Sequence, residues 1–147
     1  MPASFPPFSL AEDMAEGAID FDTHSFKIML LTGSYSPNQA HDRRNDVEAN
    51  EVSGTGYTAG GQSITVSSVS RSNGTTTVTF SSPITWTGAD GFTAAWACIY
   101  RAIGGASSAD PIVAVIYNTG DQTANGQDFI FTITSQLTIT VPTVSQS

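Results

Sequence analysis

From Gln62 onward the chain repeatedly places an apolar residue at every second position, with Ser or Thr between. "SITVSSV" does so with Ile64 and Val66, "TTVTF" with Val78 and Phe80, "PITW" with Ile84 and Trp86. "DFIFTIT" follows with Phe129, Phe131 and Ile133, and "LTITV" with Leu137, Ile139 and Val141. Side chains alternate across a strand with a period of two, whereas a helix would scatter these residues around its circumference. Each run is therefore read as a half-buried strand. Turn chemistry separates them: Asn73-Gly74 in "RSNG", "TGADGF", and the polar loop "TGDQTANGQ". Three other runs, "FKIMLL" (26–31), "AAWACIYR" (94–101) and "PIVAVIY" (111–117), are apolar on both faces and read as central strands covered on each side. About eight strands with turns every 8–12 residues predict an all-β chain, a β-sandwich and within that class a jelly roll.

Composition agrees. Ser and Thr make up about a quarter of the 147 residues, while charged residues are only 12%, against a usual share of about 25%. Five basic residues and a net charge of −8 leave no cationic stripe for phosphates or anionic lipid, so nucleic acid and membrane surfaces are not expected partners. Nine of the thirteen acids lie at or before Glu51. The single cysteine, Cys98, allows no intrachain disulfide and fits folding in a reducing compartment. "MPASFPPFSL" lacks the basic start and continuous apolar run of a signal peptide, and no apolar run reaches the roughly 18 residues of a membrane span. A cytoplasmic, soluble start is expected.

The first third is organised differently. Residues 1–8 form a proline-extended arm carrying Phe5, Pro6, Pro7 and Phe8, which either tucks onto its own domain or docks on a neighbour. The single domain is expected over 9–142, with a frayed tail at 143–147. Ser9 and Glu12 have capping-box spacing and Gly17 supplies a stop, predicting a short helix over about 10–16. "HDRRNDVEANEV" (41–52) is the most charged stretch and reads as either a short exposed helix or a polar loop.

"NEVSGTGYTAGG" (50–61) poses the question of chemistry. A phosphate loop needs a strand before it, a helix after it and normally a lysine. Here an alternating strand follows and no lysine is near, so the glycines read as a flexible crossing pinned by Tyr57. His24 and His41 stand in no metal or catalytic motif, and no G-x-S-x-G elbow is present. Asp42, Asp46, Glu48 and Glu51 do not follow the EF-hand pattern, and Arg43 and Arg44 offset them. Cys98, between Ala97 and Ile99, reads as a small buried hydrophobe. Trp86, Trp96 and Tyr100 read as core before sugar platform. No enzyme signature, cofactor or metal is expected; the remaining role is to bind other proteins.

Taken in order, "DFDTHSFKIMLLTGSYSPN", "HDRRNDVEANEVSGTGYTAGGQSI", "TWTGADGFTAAWACIYR", "PIVAVIYNTGDQ" and "FIFTIT" resemble a group of small tailed-bacteriophage virion proteins. Several of these act as capsid cement or decoration proteins. The resemblance covers residues 20 to 134 or so. It implies a β-sandwich or jelly roll on the outside of the head shell, folded in the bacterial cytoplasm and bridging capsomers without a cofactor. Its partners would be the major capsid protein and further copies of itself, as a homodimer or homotrimer. The arm (Phe5, Pro6, Pro7, Phe8) is the first expected contact and the 41–61 segment, with Arg43, Arg44 and Tyr57, the second. A tail or baseplate component, glycan-binding if Trp86 or Tyr100 is exposed, is the alternative; a hydrolase using His24 or His41 ranks third. The chain departs from the group between "FTIT" and "LTIT", where only Ser135-Gln136 intervenes, so a tight hairpin or one bulged strand is expected there.

Overall fold

The structure, a computed structural model, describes residues 4–133 and 136–140. Seven strands are present among them: β1 (Phe26–Leu31), β2 (Gln62–Ile64), β3 (Val66–Ser72), β4 (Thr75–Phe80), β5 (Ile84–Arg101), β6 (Ile112–Phe131) and β7 (Leu137–Thr140). They form two antiparallel sheets, ordered β2-β1-β5-β6 and β3-β4-β7. The expected all-β sandwich is observed. The chain changes sheets at Thr65, between β2 and β3, so the single alternating run "SITVSSV" serves both sheets.

The strand count and order differ from the expected eight-strand jelly roll for one physical reason. "TGADGF" and "TGDQTANGQ" are not turns: both lie inside strands, making β5 18 and β6 20 residues long. Sequence neighbours then pair within a sheet (β1 with β2, β3 with β4, β5 with β6) instead of forming the two Greek keys of a jelly roll. A straight strand of 20 residues would span about 66 Å, far more than a domain of this size with a radius of gyration of about 15 Å can contain. The glycines resolve the mismatch. Between Trp86 and Thr93 the β5–β6 register shifts repeatedly, with Gly88 and Gly91 at positive φ, the signature of bulges that bend a strand without ending it. The far end of the pair (Ile84, Trp86, Phe129, Phe131) thereby reaches the cluster holding Val78 and Phe80 of the other sheet.

The four-stranded sheet is buried on both faces, which is why its central strands are apolar throughout. Ile28, Leu30, Ala97, Ile99, Val113 and Ile116 belong to the cluster shared with Val78, Phe80 and Leu137 of the three-stranded sheet. Met29, Leu31, Trp96, Cys98, Ile112 and Val115 form a second cluster on the opposite face, joined by Tyr35, Val47 and Phe5. The loop after β1 and the N-terminal arm therefore act as a third layer.

The helix α1 (Leu10–Ala15) forms where expected, ending at Gly17 with φ +78°. Its capping box does not form. Ser9 is already in the helical region (φ −75°, ψ −9°) and its hydroxyl makes no cap bond, whereas an N-cap needs extended backbone to turn its oxygen onto the first amides. The 41–52 stretch is a polar segment with two 3₁₀ turns, Arg44–Asp46 and Glu48–Asn50. Asn73 (φ +52°) turns β3 into β4, with Ser72 opposite Thr75. The tight hairpin or single bulged strand expected at "FTIT" and "LTIT" does not describe β6 and β7, which lie in different sheets, with β7 paired to β4; Thr134 and Ser135 lie outside the described residues. The expected frayed tail, 143–147, and Val141 lie outside the described residues.

Candidate interaction surface

The described part of the arm, residues 4–8, tucks onto its own domain; residues 1–3 lie outside the described residues. Phe5 exchanges two backbone hydrogen bonds with Val115 (2.9 and 2.8 Å), adding a short bridge to the outer edge of β6. Its ring meets Trp96 edge-on at 6.5 Å. The Tyr117 amide donates to the Ser4 hydroxyl, and the Gln39 side-chain amide donates to the Pro6 carbonyl. Pro7 is buried. Covering an edge in this way blocks indiscriminate strand pairing there. Phe8 is different. Its amide is held by the Gln39 carbonyl at 2.8 Å, yet its side chain is 73% exposed. Of the four arm residues, Phe8 alone presents a large apolar side chain to solvent.

Arg43, Arg44 and Tyr57 are turned to internal work. Arg43 grips buried Asp13 on α1 through its two terminal guanidinium nitrogens, each at 3.1 Å. Arg44 donates from Nε to buried Asp110 at 2.8 Å and lies 5.1 Å from the Tyr100 ring centroid. Asp110 also accepts the Ile103 amide. Asp46 accepts the amides of Asp42 and Arg43. Burial alone would raise its carboxyl, but those amide bonds outweigh it and hold the pKa below the usual range. The Tyr57 hydroxyl accepts the Leu30 amide at 3.0 Å and donates to Glu51 at 2.7 Å; Glu51 also accepts the Gly60 amide at 2.6 Å. Tyr100 donates to the Gly60 carbonyl at 2.6 Å. The glycine-rich crossing is thus pinned by Tyr57, Glu51 and Tyr100, and it leads into β2. Sequence reasoning missed Asp13 and Asp110, whose only sequence signal was acidity.

The acids of 42–51 disperse onto these partners, with Glu48 bonding Ser107 and facing Arg44. Among the described residues no three His, Cys, Asp or Glu side chains converge as a metal site. Trp86 and Tyr100 are 1% and 2% exposed, so the condition for a sugar platform on them is not met. His24 accepts the Asp20 amide in an exposed turn, and His41 bonds the Tyr35 hydroxyl. Cys98 is fully enclosed and burial pushes its thiol far up, which makes it a poor nucleophile.

With Arg43 and Arg44 paired to buried acids and Trp86, Trp96 and Tyr100 buried, the three-stranded sheet offers a broad polar surface. Val78, Phe80 and Leu137 are buried, so strand alternation turns Thr75, Thr77 and Thr79 of β4 outward. Pairing places Ser72, Ser70 and Ser68 of β3 beside them on one side. Thr140 and Thr138 of β7 lie on the other, opposite Thr75 and Thr77. Among the described residues, the outer face of the three-stranded sheet is therefore eight hydroxyl side chains without a charge. Compared with protein-family models, curated proteins and solved structures, the chain matches none.

Proposed function

We propose that this chain is a tailed-bacteriophage capsid decoration protein that sits on the outside of the head shell and bridges capsomers. It folds in the host cytoplasm and takes the major capsid protein and its own copies as partners. The observation that carries this reading is the hydroxyl face of β3, β4 and β7, taken with the sequence resemblance. Neutral hydroxyls cost less to desolvate than charges, and each contact they make is weak. Repetition over a lattice lets weak contacts act together, since each further contact is made at high effective concentration. Phe8 adds an apolar knob held on a clamped backbone, the kind of aromatic anchor that dominates many interfaces.

Immunogold electron microscopy with an antibody against this protein, on particles from the producing lysate, tests the placement. Regular labelling over heads is expected. Gold confined to tails would replace this reading with a tail or baseplate role, and no label with an accessible epitope would end the virion-surface reading. Phe8→Ser tests the anchor. Its melting temperature should stay at the wild-type value because the side chain is exposed, while particle occupancy should fall. Deleting residues 1–8 is the blunter test, because it also removes the Phe5–Val115 bridge.

A further inference from the structure

The structure points to a self-association surface on the free edge of β3. We infer that two copies pair their β3 strands antiparallel about a two-fold axis centred on Val69, with Arg71 of each copy entering the acidic groove of the other.

Four observations carry this. First, among the described residues β3 has a neighbour on one side only, and from Ser67 to Ser72 every residue is exposed, Val69 at 54%. Second, the edge carries little protection: no proline, lysine or acid, and one irregularity at Val66/Ser68. The β6 edge, by contrast, is covered by the arm at Val115 and Tyr117. Unprotected edges of this kind pair readily. Third, the molecule carries a net charge of −8, yet β3, β4, their turn and β7 contain no acid and one cation, Arg71. Copies that repel one another elsewhere meet here at least cost.

The fourth observation is charge complementarity in register. A groove of about 530 Å³ runs along β3, lined by Asp20, Phe21, Asp22 and residues 66–69. Antiparallel pairing centred on Val69 sets Arg71 of one copy opposite Ser67 of the other, beside that groove. Arg71 shares the face of Val69 by alternation, the face that pairs with inward-turned Val78. The two-fold repeats the contact, so two Arg71 side chains meet two Asp20/Asp22 pairs while the exposed valines cover each other. The hydroxyl faces then join into one six-stranded surface. The pairing stands whether or not that surface binds a capsid.

Sedimentation of the full-length chain over a micromolar to millimolar series tests this. Wild type is expected to show a monomer–dimer equilibrium. Arg71→Glu should weaken it at least tenfold, about what two lost ion pairs and a new repulsion supply, and adding Asp22→Arg to that variant should recover much of the loss. V69C should cross-link to itself on mild oxidation, since Cys98 is enclosed and cannot compete. Unchanged melting temperatures establish that the variants fold. A monomer at every concentration would overturn the inference. So would a dimer indifferent to Arg71→Glu and without a V69C cross-link, because another face would then make it.

Discussion

Gly61 is where the glycine-rich crossing meets the fold, and replacing it with alanine should be among the costliest single-methyl additions in the chain. Gly61 has φ +79° and stands directly before Gln62, which pairs with Ile28 of β1. An added Cβ would overlap the Ile28 carbonyl oxygen and sit 2.6 Å from its carbon and 2.7 Å from the Met29 Cα. These are backbone atoms of a strand buried on both faces, so they cannot yield as a flexible side chain would. The left-handed φ costs a non-glycine residue about 1–2 kcal/mol. Relieving the overlap means lifting the start of β2 from β1, which weakens a ladder of three residue pairs at about 1 kcal/mol per hydrogen bond. Together these give about 3–4 kcal/mol, a large part of the 5–15 kcal/mol typical of a whole domain. Gly88→Ala is the internal control: φ is +62° but nothing lies within 4 Å of the added methyl, so only the conformational cost of about 1–2 kcal/mol applies. Urea unfolding followed by fluorescence of Trp86 and Trp96 measures both. Midpoints giving Gly61→Ala the same cost as Gly88→Ala, at equal slopes, would refute the claim that close backbone approach makes this position glycine.

Two further outcomes are expected. Asp110→Ala should destabilise by about 2–3 kcal/mol, because it strands a mostly buried guanidinium and the Ile103 amide. Glu48→Ala, removing an exposed partner 3.7 Å from the same arginine, should cost under about 0.5 kcal/mol; equal losses in urea melts would show that burial does not set the value of these pairs. Burial raises the hydroxyls of Tyr35 and Tyr100 to about 12 and pushes Tyr57 higher still. A raised acid favours its neutral form in the fold, so this stabilisation is complete below the ordinary tyrosine value near 10 and is lost as pH rises towards 12. The tyrosinate absorbance of these three should therefore appear late and together with unfolding; Tyr35, Tyr57 and Tyr100 ionising near pH 10 in folded protein would contradict their placement.

Much of the fold follows from local sequence. Period-two alternation identified the half-buried strands, and runs apolar on both faces identified the central ones, because side-chain direction in a strand is a property of the backbone alone. The crossing at 54–61 was legible as a loop for the same kind of reason: no helix follows it to orient amides toward an anion. The glycines and polar residues of 87–91 and 118–128 misled, since a bulge and a turn use the same residues. Only pairing with a partner strand decides whether such a stretch bends or reverses the chain. Here β5 and β6 stay paired through it, which sets the strand count and the topology.

The candidate site was less legible. Phe8 and Phe5 look alike in "MPASFPPF", and tertiary contact separates them: Phe5 bridges to Val115 and packs on Trp96, whereas Phe8 meets solvent. Arg43 and Arg44 read as surface charges, and distant Asp13 and Asp110 draw them inward. The Ser and Thr residues of β3, β4 and β7 were present in the composition. Their gathering onto one face required three strands, one of them from the far end of the described chain, to lie in register. Composition and periodicity act over a few residues and determined that this chain would be a low-charge β-sandwich. Which residues remain on its surface depends on contacts between segments distant in sequence, and those the tertiary structure alone decided.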